Sequence, residues 1–355
     1  MTIYDIAREA KVGIGTVSRV FNNSPKVTSE TREKVILVAT RLNYQPHAFA
    51  QALARKRSNT LSAIIPFFTN YFFIQVLQGV QESLVPLGYD LIIHGANNQE
   101  QLEEYLSRSM RKGRTDGTLL FSLELPDKFV EEFTDKKIPL VLVDTFHPQF
   151  DSILVDNTIG TKTAIEHLIS LGHRRIGMIN ANLKSAPARE RLLSFKKTIV
   201  EHGLEVDDAI VINSTSTRND GFSREAGYFA MRNLLERDIV RPTAFFISSD
   251  IQSIGAIGAL KEKGFRIPDD VAIVSFDDIE IAKYFDLTTM HQPMYDMGEL
   301  AVKKLLFRIE NLSAPVSSFK FTPDLIIRGS CGKNKNYTFN DTNEMGVHEP
   351  TEQPR

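Results

Sequence analysis

The chain has 355 residues, 42% hydrophobic and 24% charged, which excludes a disordered or fibrous protein and predicts two or three folded domains. Its single cysteine, Cys331, excludes an internal disulfide and fits the cytoplasm, and no apolar run reaches about 18 residues, so neither a transmembrane helix nor a membrane partner is expected. The net charge of −2 hides an asymmetry: residues 1–58 hold ten basic and four acidic side chains, the rest 32 and 40, so a basic headpiece precedes an acidic body.

Ile3, Ile6, Ala7 and Ala10 fall on one face of a helix that Thr2 can cap, and Asp5 and the lack of an apolar stretch argue against a signal peptide. After a short turn at Lys11–Gly13, Val17, Val20 and Phe21 mark a second helix, and the pair reads as a helix-turn-helix, a unit that places its second helix in a DNA major groove. Asn22-Asn23-Ser24-Pro25 is a loop, and Thr28 caps a third helix carrying Val35, Ile36, Val38, Ala39 and Leu42. Tyr44–His47 breaks it. The segment Ala48–Arg55 favours helix but spans only about two turns, so it is expected to order on a partner.

From Leu61 short apolar runs alternate with amphipathic segments. Strands are expected at Leu61–Pro66, Asp90–His94, Gly117–Phe121, Leu140–Val143, Ile153–Val155, Ile176–Ile179, Ile210–Ile212, Ala244–Ile247, Val271–Ser275 and Thr288–His291, with later ones near Phe319 and Leu325. Helices are expected between most of them and at Asp296–Asn311. The expected fold is α/β, an N-terminal helix-turn-helix followed by two doubly wound parallel-sheet lobes whose ligand binds outside the carboxyl ends of the strands. Residues 332–355 are polar and aperiodic and are expected to be a disordered tail.

Ile3-Tyr4-Asp5-Ile6-Ala7, Thr16-Val17-Ser18-Arg19-Val20 and Tyr44-Gln45-Pro46 resemble the headpiece and hinge of the lactose-repressor (LacI/GalR) family of bacterial regulators. In the body, Leu171-Gly172-His173-Arg174-Arg175-Ile176-Gly177, Ser249-Asp250, Phe276-Asp277-Asp278 and Gln292-Pro293 follow the same family in order, and the resemblance spans about residues 2–331. It implies a helix-turn-helix domain at 1–45, a hinge helix and linker at 46–60, and a periplasmic-binding-protein-like effector-binding and dimerisation core at 61–331. Within that core, one subdomain would take about 61–157 and 290–317 and the other about 158–289 and 318–331. It further implies a repressor that binds near-palindromic operator DNA as a homodimer, or a tetramer, under control of a small molecule, a sugar or sugar phosphate.

By that resemblance Ile14, Gly15 and Arg19 face the bases. Arginine can donate two hydrogen bonds to guanine, isoleucine can touch a thymine methyl and glycine reads nothing. Thr2, Tyr4, Thr16, Ser18 and Asn22 would hold phosphates, and Leu53 would wedge into the minor groove. For the effector, Asp277 and Arg191 would hold hydroxyls or a carboxylate, Asp144 and Ser249 would add hydrogen bonds, and Phe72, Phe73 and Phe222 would give stacking faces. Without the resemblance, Asp277-Asp278 is a carboxylate pair at a strand end, a pattern more often seen in solvated turns. Gln292–Asp296 also resembles a branch of the family that takes a phosphorylated carrier protein as corepressor. Lys303 keeps a base for that mode, but Phe307 stands where a second is wanted. A sugar-binding module without a DNA role is the alternative from another class, and the headpiece argues against it. No catalytic triad, zinc-ligand spacing or phosphate loop occurs, so no enzyme, cofactor or metal is expected.

Overall fold

The computed structural model describes residues 1–21, 24–44 and 57–332. Asn22, Leu53, the hinge segment at 45–56 and the expected tail after Gly332 lie outside the described residues.

Three helices, α1 (Ile3–Glu9), α2 (Ile14–Phe21) and α3 (Ser29–Arg41), form the headpiece around Ile6, Ala7, Ala10, Val17, Val20, Val35, Val38 and Ala39. Lys11 takes a left-handed φ of +52° in the turn between α1 and α2. Thr28 caps α3, its hydroxyl accepting from Thr31 N–H at 3.3 Å. Arg32 donates to the carbonyls of Val20 and Ser24 at 3.2 and 2.9 Å, satisfying acceptors at the end of α2 and tying α3 to it.

The body holds two six-stranded sheets, each with helices on both faces. The first has the order β11-β5-β4-β3-β1-β2, with β1 (Thr60–Ile65), β2 (Asp90–Gly95), β3 (Gly117–Phe121), β4 (Leu140–Val143), β5 (Asp151–Val155) and β11 (Ser318–Phe321), all pairs parallel. The second has the order β12-β10-β9-β8-β6-β7, with β6 (Ile176–Asn180), β7 (Val211–Asn213), β8 (Ala244–Ile247), β9 (Ala272–Asp277), β10 (Thr288–His291) and an antiparallel edge strand β12 (Asp324–Ile326). Between strands run α4 (Tyr71–Leu84), α5 (Gln99–Ser109), α6 (Asp127–Asp135), α7 (Asn157–Ser170), α8 (Ala186–Glu201), α9 (Arg224–Leu235), α10 (Asp250–Glu262) and α11 (Met294–Glu310).

The two sheets correct the expected subdomain boundaries. Thr288–His291 pairs along its length with β9, so the second lobe runs to residue 291 rather than 289. Ser318–Phe321 pairs with Ser152–Val155 and belongs to the first lobe. The chain crosses between lobes at 155–157, 291–294 and 321–324.

In the first lobe α4 and α11 approach until backbone meets backbone. A Cβ on Gly79 would sit 2.1 Å from the Tyr295 carbonyl oxygen, and one on Gly298 2.1 Å from that of Val76. Gly227 and Gly255 bring α9 and α10 together in the same way in the second lobe. Gly298→Ala is therefore expected to force the helices apart and lower stability by about 1–3 kcal/mol, read as a drop in thermal midpoint.

Candidate DNA-reading helix and effector cleft

At about 100° per residue, Val17 and Val20 turn α2 inward, and Ile14, Gly15, Ser18 and Arg19 share the opposite face. Ile14, Gly15 and Arg19 are exposed, while Thr16 and Ser18 are half-exposed. Nothing lies within 4 Å of where a Gly15 Cβ would stand, so packing does not require the glycine. Tyr4 projects from α1 at 65% exposure. Thr2, also exposed, donates from its N–H and its hydroxyl to the Asp5 carboxylate, at 2.9 and 3.0 Å. Those bonds close the start of α1 and hold the Asp5 carboxyl below its ordinary range.

A second site lies where the carboxyl ends of the two sheets face each other. Its walls include Pro66, Phe67, Phe72, Phe73, Ser122 and Asp144 from the first lobe and Arg191, Asp220, Phe222 and Asp277 from the second, with Gln292 at a crossing. The rings stand edge to face, Phe67 on Phe73 at 5.4 Å and Phe72 on Phe73 at 5.2 Å. They are positioned by Asn70, whose side chain caps α4 by accepting from Phe72 N–H at 2.8 Å. The cavity is about 50 Å³, far short of the roughly 300–1,000 Å³ of ordinary ligand pockets. A sugar-sized ligand therefore enters only if the lobes or the phenylalanines part. Two contacts join the lobes across this gap, Arg189–Glu124 at 3.1 Å and Asn219 to Thr69 at 3.4 Å.

Arg191 is the buried cation of the cleft. It donates to Asn157 at 2.9 Å and to the Ser248 carbonyl, lies 3.7 Å from the centroid of Phe276, and stands 3.9 Å from Asp277. Asp277 closes β9 with a strained φ of +121° and accepts from Gln292 Nε2 at 2.6 Å. The next residue, Asp278, is also left-handed (φ +60°) and is held by Arg328 at 2.7 Å and His291 at 3.1 Å. Beneath them Asp250 is fully buried, accepting from Ile279 N–H at 2.8 Å and the Thr289 hydroxyl at 2.6 Å.

Burial pushes the Asp144 carboxyl up to about 6, against the opposing pull of the Ser122 hydroxyl, which donates to it at 2.7 Å. It raises Asp277 too, with Arg191 pulling the other way and the Asp250 charge adding to the rise, and it raises Asp250 and Asp220. One guanidinium cannot hold this many buried carboxylates ionised. The cleft is thus rich in acceptors, poor in positive charge and lined by aromatic faces.

Of the expected effector residues, Phe72, Phe73, Asp144, Arg191, Phe222 and Asp277 come together here. Ser249 does not. It is buried behind the cleft, where its hydroxyl caps α10 and donates to Gln252 Oε1 at 3.0 Å. A serine is too short to cap its own helix and reach the cavity. Sequence reasoning missed Asn70, Ser122, Asp220 and Gln292. The buried Gln292 Oε1 has no partner among the described residues and is an acceptor left for a ligand.

A profile described as "Bacterial regulatory proteins, lacI family" matches residues 2–47, and one described as "Periplasmic binding protein-like domain" matches 165–331. The ribose operon repressor of Haemophilus influenzae is 34% identical over 334 residues, 93% of this chain and 98% of that protein. Catabolite control protein A of Priestia megaterium is 31% identical over 310 residues, 86% and 91% of the two chains. Among solved structures, the Lac repressor dimer bound to operator and the anti-inducer ONPF has a TM-score of 0.81 at 26% identity, covering 94% of this chain and 99% of that one. The family profile and these relatives define a DNA-binding regulator rather than an enzyme. The chain belongs to the LacI family of bacterial regulatory proteins.

Proposed function

We infer that this regulator is a repressor that binds a near-palindromic operator as a homodimer in the cytoplasm and is switched by a neutral sugar in the interlobe cleft. The observation that carries the ligand class is the charge of the cleft. Arg191 is already engaged by Asn157, the Ser248 carbonyl and Asp277, and the remaining wall offers Asp144 and Asp220. A phosphate dianion would face carboxylates, whereas sugar hydroxyls donate to them and apolar sugar faces stack on Phe72, Phe73 and Phe222. Asp277, Asp144 and Gln292 supply the acceptors and Arg191 the donor. Ile14 and Arg19 would read bases, with Gly15 silent between them. Tyr4, Thr16 and Ser18 would hold phosphates, as would Asn22, and Leu53 would wedge the groove.

Dimerisation is supported by an apolar face on the first lobe, where Ile74, Val85, Leu87 and Ile93 are exposed on α4, the turn after it and the edge strand β2. Ligand can act only through different affinity for two arrangements of the lobes, which the paired first lobes would pass to the segment joining them to the headpieces. The carrier-protein mode has less support. Lys303 is paired with Glu299 at 2.6 Å, and Phe307 is exposed beside it.

A thermal-shift screen of the whole chain with D-ribose, D-glucose, cellobiose, glucose 6-phosphate and hypoxanthine tests the ligand class. A neutral sugar at 100 times its Kd should stabilise by about 2.7 kcal/mol. A response to glucose 6-phosphate or hypoxanthine with none to any neutral sugar would overturn it.

A further inference from the structure

Every strand pair in the first sheet, from β11 across to β2, is parallel, so the amino ends of its strands share one edge of the lobe. The chain enters from the headpiece at that edge, through Arg57-Ser58-Asn59 into β1. Asp116, just before β3, fastens this entry: it accepts from Ser58 N–H at 2.6 Å, the Ser58 hydroxyl at 2.9 Å and Asn59 N–H at 2.9 Å. Only residues 45–56 separate the entry from the described headpiece. Twelve residues reach at most about 40 Å when fully extended, so DNA held by the headpiece must lie on this side of the core.

The same edge is basic although the body as a whole is acidic. Arg111, Lys112 and Arg114 stand in the tight turn before β3, next to β1 in the sheet, and Lys137 stands before β4, next in order. Arg111, Lys112 and Lys137 are exposed, Arg114 is half-buried, and none of the four makes an ion pair among the described residues. The turn is fixed by Arg111 N–H to the Arg108 carbonyl and Arg114 N–H to the Arg111 carbonyl, at 3.2 and 3.1 Å, and by the Thr115 hydroxyl on the Ser109 carbonyl at 2.9 Å. Of the acids on this edge, Asp116 is taken by the entry and Glu310 lies 3.8 Å from Arg57, while Asp90 at the start of β2 and Asp135 before Lys137 are exposed and offset part of the basic charge. The field of the turn is felt by His94, which burial and then the Arg114 and Arg108 charges hold below its ordinary range.

We propose that the core itself contacts operator DNA, with Arg111, Lys112 and Arg114, flanked by Lys137, seated on the phosphate backbone near the operator centre. This rests on the operator-binding reading and adds a second, sequence-independent grip to it. Contacts of this kind neutralise phosphates and release counterions, steepening the dependence of affinity on salt without changing base preference.

The test is the slope of log affinity against log salt for the full chain on an operator selected from random DNA. R111Q/K112Q/R114Q is compared with K261Q/K263Q, a pair of exposed lysines at the end of α10 in the second lobe. Each phosphate contact contributes about 0.9 to the slope, so the triple variant is expected to flatten it by about 2 or more while its melting midpoint and base preference stay those of the parent. A flattening of less than about 1, or an equal flattening by K261Q/K263Q, would overturn the proposal. If the parent chain selects no operator at all, it is the operator-binding reading that fails.

Discussion

Arg19→Ala should lose roughly 30- to 20,000-fold in operator affinity, because about 1–3 kcal/mol of base contact is removed from each of two half-sites. Arg19 is the exposed base-reading candidate with the most hydrogen-bonding capacity on α2, since Gly15 has no side chain and Ile14 can make only apolar contacts. The guanidinium makes no ion pair among the described residues, so none of those carboxylates competes for it. The loss should concentrate at one base pair in each half-site. Anisotropy titrations against operators altered position by position, at fixed salt, would show the preference at that pair vanish. A uniform loss with the preference intact would make Arg19 a phosphate contact instead.

Asp277→Asn should weaken sugar binding and yet raise stability at neutral and alkaline pH. Asp277 is forced into a buried place beside Asp250 and Asp144, with Arg191 at 3.9 Å as the only cation in contact with it among the described residues. Its folded-state pKa is raised, so the folded chain keeps its proton where the unfolded chain has lost it. The stability linked to that proton is complete below the ordinary carboxylate range near pH 4 and is lost as pH rises through the folded value. Asp144 behaves in the same sense, with its window running from about 4 to about 6. Asparagine keeps the shape and removes the buried charge. The expected gain at pH 8 is on the order of 1–3 kcal/mol, a few degrees in melting temperature, with a flatter stability profile between pH 5 and pH 8. Sugar affinity should fall roughly 10- to 100-fold for loss of a hydrogen bond to a buried group of the cleft. Melting curves across pH for both chains check the first part. An Asp277→Asn chain that melts lower than the parent at pH 8 would mean that the Arg191–Asp277 attraction outweighs the burial.

Local pattern makes much of the fold legible. Apolar runs such as Leu140–Val143 and Ala244–Ile247 are buried on both faces and have few other ways to satisfy their backbones than a parallel sheet. Helix α6 is harder to see. It is nine residues long, begins after Pro126 without a side-chain cap, and announces itself only by Phe129, Val130 and Phe133. The Ser318–Phe321 strand is recognisable from its residues but its lobe is not, because pairing with Ser152–Val155 is a contact across more than 160 residues. The site divides in a similar way. Asp277 and Arg191 stand out through family motifs, whereas Ser122 and Gln292 matter only because folding sets them against Asp144 and Asp277. Ser249 shows the converse: its position in the motif survives, but a hydroxyl lacks the reach to use it.

Linkage between the two sites is the most direct test of a DNA grip switched by ligand. Operator affinity of the full chain should be measured without sugar and with the sugar identified by thermal shift at saturation, alongside sugar affinity with and without operator. The expected change is about 5- to 150-fold, the same factor in both directions, with the Asp277→Asn chain needing correspondingly more sugar to respond. Operator affinity that stays the same while sugar saturates the cleft would contradict a sugar-switched repressor.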